Sequence, residues 1–244
     1  MWRRDTWAAI RTWLAARSGA RTASLNAQFR DELQDGLPHG QGTYRFPDGS
    51  EYLGEWRHGQ RSGRGTLKSP DGSQYVGDWR EDLPNGQGTI LLPDGSRYSG
   101  SWQHGVMNGL GVLKFADGTE YVGEFRDGRS SGHGAETTPD GGRYIGSWQD
   151  NKRHGNGTLN YPDGSQYIGE FQDEEPNGHG IHRFADGMHY LGEFIDGRRH
   201  GQGSLYDPTG VLLVNGIWID DEFSEANSLP NPVLTAAEAG AIVE

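Results

Sequence analysis

The chain has 244 residues, 40 of them glycine, with hydrophobic residues at 32% and aromatics at 11%, a balance that argues against one compact core and for a thin or repetitive architecture. The absence of cysteine excludes disulfides, thiolate zinc sites and a cysteine nucleophile, and a net charge of −12 argues against nucleic acid as a partner of the whole chain. No stretch approaches the roughly 20 uninterrupted apolar residues that a membrane-spanning helix needs, so the chain reads as a cytoplasmic protein.

Residues 1–30 reverse the overall charge: Arg3, Arg4, Arg11, Arg17, Arg21 and Arg30 face the single acid Asp5, a net of +5 that leaves −17 on the remainder. Residues 2–17 are expected to form an amphipathic α-helix, with Trp7, Ile10 and Leu14 on one face, Trp2 and Trp13 flanking it, and Arg4 and Arg11 opposite. Three roles compete for it: a cap on the chain's own sheet or on that of a second copy, an anchor on an anionic membrane surface, or an Arg-rich targeting segment. Residues 1–37 are taken as this helix and its linker.

From residue 38 to 219 the chain keeps a fixed period. Tyr52, Tyr75, Tyr98, Tyr121, Tyr144, Tyr167 and Tyr190 recur every 23 residues, each opening Y-x-G-x-W/F. A G-x-G pair follows in each repeat, from Gly63 and Gly65 to Gly201 and Gly203, and an Asp-Gly step closes most of them. A half repeat with Gly40, Gly42, Asp48 and Gly49 comes first, and a decayed one with Gly216 and Trp218 comes last.

Period-two alternation puts Tyr, Gly and Trp/Phe on one face of an extended strand, whereas the recurrent glycines and Pro-Asp-Gly steps would break any helix. Each Pro-Asp-Gly, as at Pro47–Gly49, is expected to close a tight hairpin. The six residues between the aromatic and G-x-G, such as Arg57 to Ser62, leave room for a looser second turn, giving an antiparallel meander. The glycine between Tyr and Trp, as at Gly54 and Gly77, is expected to be a socket over which a neighbouring ring lies flat, with stacked aromatics joining successive repeats. Two strands per repeat predict a rod about 70 Å long at roughly 4.8 Å per strand. The fourth repeat, with Glu136 and Thr138 where others carry Leu113 and Phe115, is expected to pack least well. Residues 220–244, acidic at Asp220, Asp221, Glu222 and Glu225 and carrying Pro230 and Pro232, read as a tether with a short, weak helix.

Repeats of 23 residues reading Y-x-G-x-W/F, then G-x-G, then D-G resemble MORN repeats (membrane occupation and recognition nexus), and the resemblance covers about three quarters of the chain. It implies an all-β fold, an elongated single-layer antiparallel meander of stacked β-hairpins serving as a binding or dimerising scaffold. It also brings links to phospholipid attachment, and to accessory modules beside catalytic domains.

The remaining candidates are weighed against this frame. His39, His154 and His200 precede G-x-G where other repeats carry Asn or Ser, which is turn chemistry, and His179 with His182 lacks a third ligand, so no metal is expected. Glu55, Asp78, Glu124, Glu170 and Glu193 recur with the period opposite the rings and read as a solvated ladder paired with residues such as Lys68, Lys114 and Arg183. The G-x-G segments enter strands and lack the helix that would hold an anion, so no nucleotide or other cofactor is expected. The stripe Trp56, Trp79, Trp102, Phe125, Trp148, Phe171 and Phe194 is first a packing device and, where uncovered, a docking surface. The expected function is non-catalytic binding of a protein partner or of a second copy as a homodimer. A peripheral membrane tether and a regulatory subunit of a separate enzyme are the alternatives.

Overall fold

A computed structural model describes residues 28–29 and 33–224. The expected helix over 2–17, with its docking candidates Trp2, Arg4, Trp7, Ile10, Arg11, Trp13 and Leu14, and the tail beyond 224 lie outside the described residues.

The chain divides into two units, 1–129 and 130–244. The first contains β1 (Gln28–Phe29), β2 (Leu33–Gln34), β3 (Leu37–Pro38), β4 (Gly40–Arg45), β5 (Glu51–Arg57), β6 (Gln60–Lys68), β7 (Gln74–Arg80), β8 (Leu83–Leu91), β9 (Arg97–Gln103), β10 (Val106–Lys114) and β11 (Glu120–Arg126). From β4 to β11 every strand pairs antiparallel with the next, β1 adds to the free side of β4, and β2 and β3 form a separate hairpin. In the second unit β12 (Arg129–Thr137), β13 (Arg143–Gln149), β14 (Lys152–Asn160), β15 (Gln166–Gln172), β16 (Glu175–Arg183), β17 (His189–Ile195), β18 (Arg198–Tyr206), β19 (Leu212–Ile219) and β20 (Glu222–Ser224) repeat the pattern. Each unit is an all-β antiparallel meander, and no helix occurs among the described residues.

Two turns alternate. At the Pro-Asp-Gly turn, Gly49 N–H donates to Phe46 O at 2.9 Å and Phe46 N–H to Ser50 O at 2.8 Å, closing a three-residue loop with Gly49 at φ 86°. The Asp48 carboxylate accepts Ser50 N–H at 2.9 Å, which holds the loop shut. The second turn is tighter than the spacing suggests. His58 and Gly59, Glu81 and Asp82, and Asp173 and Glu174 all adopt positive φ in pairs, the signature of a two-residue type I′ turn whose twist matches that of the strands. The residues assigned to a looser loop instead continue the strand and form a bulge. Gly54 pairs with Gly65 but Glu55 pairs with Ser62, so Gly63 and Arg64 are extra, and Gly63 takes φ 58°.

The register aligns glycines across every strand. Gly42, Gly54, Gly65, Gly77, Gly88, Gly100, Gly111 and Gly123 are successive partners in the first unit. Gly134, Gly146, Gly157, Gly169, Gly180, Gly192, Gly203 and Gly216 are partners in the second. Their role differs from the expected socket for a ring of another repeat. A Cβ on Gly54 would stand 2.5 Å from the Gly65 Cα and 2.6 Å from the Arg64 carbonyl oxygen, so backbone meets backbone there. The ring that does lie on a glycine is Tyr52, which sits over Gly65 of the following strand, and its hydroxyl donates to Glu55 O at 3.1 Å. All seven period tyrosines make this bond to the carbonyl three residues on, and all are at most 2% exposed.

Successive repeats are joined by edge-to-face rings, not by stacks. Tyr52 meets Trp56 of its own strand at 5.1 Å and Trp79 of the next repeat at 5.3 Å, and Tyr167 meets Phe171 and Phe194 at 5.1 and 4.9 Å. Such pairs stabilise by about 0.5–1.5 kcal/mol each beyond the area they bury. In the fourth repeat Glu136 is buried where Leu67 and Leu113 fill the core elsewhere.

Candidate functional site

The stripe offered as a docking surface lies inside the packing: Trp56, Trp79, Trp102, Phe125, Trp148, Phe171 and Phe194 are 2–6% exposed. Their indoles are also committed. Trp56 Nε1 donates to Gly42 O at 3.2 Å, Trp79 to Gly65 O at 3.2 Å and Trp102 to Gly88 O at 3.0 Å, tying each ring to a ladder glycine one strand away. Burial drives the hydroxyls of Tyr52, Tyr75 and Tyr98 far above the ordinary phenol range, leaving them neutral hydrogen-bond donors.

The surface open to a partner is therefore the opposite face. There the residues flanking the glycine ladder form a cross-strand row, Leu53, Thr66, Val76, Thr89 and Ser99, each the register partner of the next. Leu53 is 57% and Val76 47% exposed, while Thr89 and Ser99 share a hydroxyl hydrogen bond of 2.9 Å. The row and its counterpart (Gln41, Arg64, Asp78 and Gln87) border a groove of about 650 Å³ floored by the backbone of Gly54, Gly65, Gly77, Gly88 and Gly100, whose absent side chains would point the other way, at the tyrosines. Within that counterpart row Arg64 and Asp78, register partners, meet at 3.5 Å.

The periodic carboxylates have a definite local task instead of forming a solvated ladder paired with lysines. Glu55 accepts the Arg64 amide at 3.0 Å, Asp78 the Gln87 amide at 2.8 Å, Glu170 the His179 amide at 3.1 Å and Glu193 the Gln202 amide at 3.1 Å. Each clamps the amide that follows the bulge glycine. No group of three or more metal-ligating side chains occurs among the described residues, and His179 pairs with Glu170 at 3.7 Å.

One set of residues escaped the sequence reading. Arg61 is 3% exposed; its Nε meets Asp82 Oδ1 at 3.2 Å, its terminal nitrogen donates to Asp82 O at 2.7 Å, and its guanidinium lies 4.4 Å from the Trp79 ring centroid. Arg199 repeats this with Asp221 and Trp218, and Arg153 reaches Glu174 at 2.7 Å. Where the same position is Pro38, Pro84, Met107 or Pro176, the turn residue facing it is Gly59, Gly105, Gly128 or Gly197, whose amide donates to that residue's carbonyl. At the remaining such position Ser130 faces Asn151, so the signal available in the sequence was a matched choice, arginine with an acid, proline or methionine with glycine, serine with asparagine, at a separation of 21 or 22 residues.

A family model described as MORN repeat matches residues 32–51, 52–74, 75–97, 98–120, 121–143, 144–166, 167–189 and 190–211. No curated protein matches the chain. Among solved structures, the SAS-4 (dCPAP) TCP domain of Drosophila melanogaster, in complex with a proline-rich motif of Ana2 (dSTIL), is similar at 15% identity over 76% of this chain and 95% of that one, with a TM-score of 0.40. The TCP10 domain of Danio rerio CPAP, in complex with a peptide of Danio rerio STIL, is similar at 18% identity over 75% and 97%, with a TM-score of 0.30. Likeness at this level says nothing about function. No helix among the described residues is long and apolar enough to cross a membrane.

Proposed function

This chain belongs to the MORN-repeat family, and from that premise we propose that it is a non-catalytic scaffold whose open sheet face binds an extended segment of a protein partner. The observation that carries this reading is the glycine-floored groove of the first unit, where Leu53 and Val76 stand exposed beside the hydroxyls of Thr66, Thr89 and Ser99. The groove crosses strands β4 to β9, about 24 Å at roughly 4.8 Å per strand, a length that an extended segment of about seven residues fills. Exposed apolar side chains offer area to bury, and the flanking hydroxyl, amide and charged groups offer hydrogen bonds that fix register.

Selection from a displayed library of random peptides tests this. The expected result is enrichment of sequences that bind the full chain and lose at least tenfold in affinity on Val76→Glu, with circular dichroism and denaturation midpoint unchanged. Enriched peptides indifferent to Val76→Glu, or no enrichment, would overturn the reading. Light scattering separates it from self-association: a concentrated dimer that Val76→Glu dissociates would assign the face to a second copy instead.

A further inference from the structure

Charge in the first unit is sorted by position. Of the nine lysines and arginines in β4 to β11 only Arg61 turns toward the rings; the other eight are exposed on the outer face, where they meet five carboxylates, Glu51, Glu55, Asp78, Glu120 and Glu124. The other acids between β4 and β11 lie in the turns, as Asp71 and Asp94 do, each accepting the amide two residues on. A chain of net charge −12 thus carries a positive surplus on this face. Arg45 reaches Glu51 at 3.4 Å, Arg64 reaches Asp78 at 3.5 Å and Arg80 reaches Glu81 at 3.8 Å, whereas Arg57, Lys68, Arg97, Lys114 and Arg126 make no ion pair among the described residues. Arg97 has Leu91 as its register partner on one side and Lys114 on the other, and a like charge directly opposite is destabilising. The repeat does not require that pairing, since the equivalent partners earlier in the unit are Glu51 with Lys68 and Gln74 with Leu91. In the second unit the outer cations are committed: Lys152 meets the turn acid Asp173 at 2.7 Å, Arg198 meets Asp220 at 3.9 Å, and Arg183 donates to Gln166 at 3.0 Å.

We infer that the extended segment held by the groove of the first unit is acidic, with two carboxylates four residues apart that meet Lys68 and Arg97. This names the partner's chemistry for the site proposed above and rests on that proposal. The cations border the groove on both sides. Lys68 and Arg97 stand two residues along their strands from Thr66 and Ser99 of the exposed row, about 7 Å, while Arg57 and Arg80 stand four residues from Leu53 and Val76 in the other direction, about 13 Å. From Lys68 on β6 to Arg97 on β9 is three strand spacings, about 14 Å, the length of about four extended residues, which also returns a side chain to the same side of the segment. Val76 and Thr89, on the two strands between, then lie under the intervening residues. An acidic segment supplies counter-charges to cations that have none and relieves the repulsion between Arg97 and Lys114; a neutral segment does neither, and a basic one adds to the repulsion.

The displayed library tests this on the full chain, with Lys68→Glu and Arg97→Glu combined in one variant; both side chains are exposed, so circular dichroism should not change. Peptides selected on the parent should carry Asp or Glu four residues apart, lose about tenfold or more in affinity on the double charge reversal, and regain it when their acids are exchanged for Lys. Their affinity for the parent should fall as sodium chloride rises from about 50 to about 300 mM. Selected peptides that are lost on Val76→Lys, which blocks the row without adding negative charge, yet are neutral and indifferent to the double reversal would overturn the acidic partner and leave the groove as a binding site. If no peptide responds to Val76→Lys either, both readings fall. Equal binding of a peptide whose two acids are moved to adjacent positions would also overturn the inference. So would sedimentation of the parent, but not of the double reversal, with phosphatidylserine vesicles when no acidic peptide is enriched, a result that would assign the face to lipid.

Discussion

At the residue scale, the glycines divide into those that serve a turn and those that serve a contact, and substitution should separate them. Gly54→Ala places a Cβ against the Gly65 Cα and the Arg64 carbonyl, neither of which is a flexible side-chain end; it should cost about 3 kcal/mol or more in denaturant unfolding. Gly72→Ala, at φ 89° with nothing within 4 Å, should cost only about 1–2 kcal/mol. Likewise Gly146→Val should destabilise more than Ile145→Val, since Gly146 faces the Gly157 Cα and Ile145 is 45% exposed. Trp79→Phe removes the donor to Gly65 O and should cost about 1 kcal/mol, because Phe125, Phe171 and Phe194 already fill the same place without it. His182 gives a pH handle. It occupies the core position of Leu67 and Leu113, its Nε2 is buried without a hydrogen-bond partner, and burial followed by the Arg199 charge holds its pKa below 6.5, against the opposing pull of Asp163 and Asp221. The unfolded chain therefore takes up the proton first, so this contribution to stability is present above about pH 6.5 and declines as the pH falls below it. Thermal melts of His182→Leu between pH 7 and pH 5 should show a smaller acid loss than those of the parent; an identical loss would remove His182 from the explanation.

At the scale of elements, the unit of cohesion is the joint between neighbouring hairpins. Within each unit the joints share edge-to-face rings, and the hydrogen-bonding set varies: Arg61 with Asp82, Pro84 with Gly105, or Ser130 with Asn151, whose side-chain oxygen accepts the Ser130 amide at 2.8 Å. A double-mutant cycle tests whether these are alternative solutions. Arg61→Pro alone leaves the Asp82 carboxylate without its guanidinium, and Asp82→Gly alone strands a largely buried cation. The double variant recreates the Pro–Gly joint, so the two losses should fail to add by about 1–2 kcal/mol. Strict additivity would mean that the pairing is incidental. Within the second unit, hydrogen exchange should be slowest in β15 to β17 and fastest in β20, which among the described residues pairs on one side, with β19.

At the scale of the whole chain, the period made the architecture legible: Tyr52 to Tyr190 fixed the repeats, the alternating Y-x-G-x-W/F gave the strands, and Pro-Asp-Gly gave one of the two turns. The other turn was misjudged because Gln60 to Ser62, which continue the strand, look like loop residues in sequence, and Asp173 and Glu174 carry no glycine to announce positive φ. The bulge was missed because Gly63 and Gly65 look equivalent in sequence and do different things in the sheet. The docking stripe was legible as aromatic but not as covered, since burial here comes from rings of adjacent repeats and no single repeat contains that information. The open groove was hidden for a related reason, being bordered by rows such as Leu53, Thr66 and Val76 that only the register of adjacent strands brings together. The alternative kinds of joint carry one more implication. Repeats that look interchangeable by their tyrosines are keyed by what precedes G-x-G, so excising the 23 residues from Ser62 to Pro84 would set Arg61 opposite Gly105 instead of Asp82. Permuting or shortening such an array is thus a matter of matching ends, and only rearrangements that keep arginine facing an acid and proline facing glycine should fold as well as the parent.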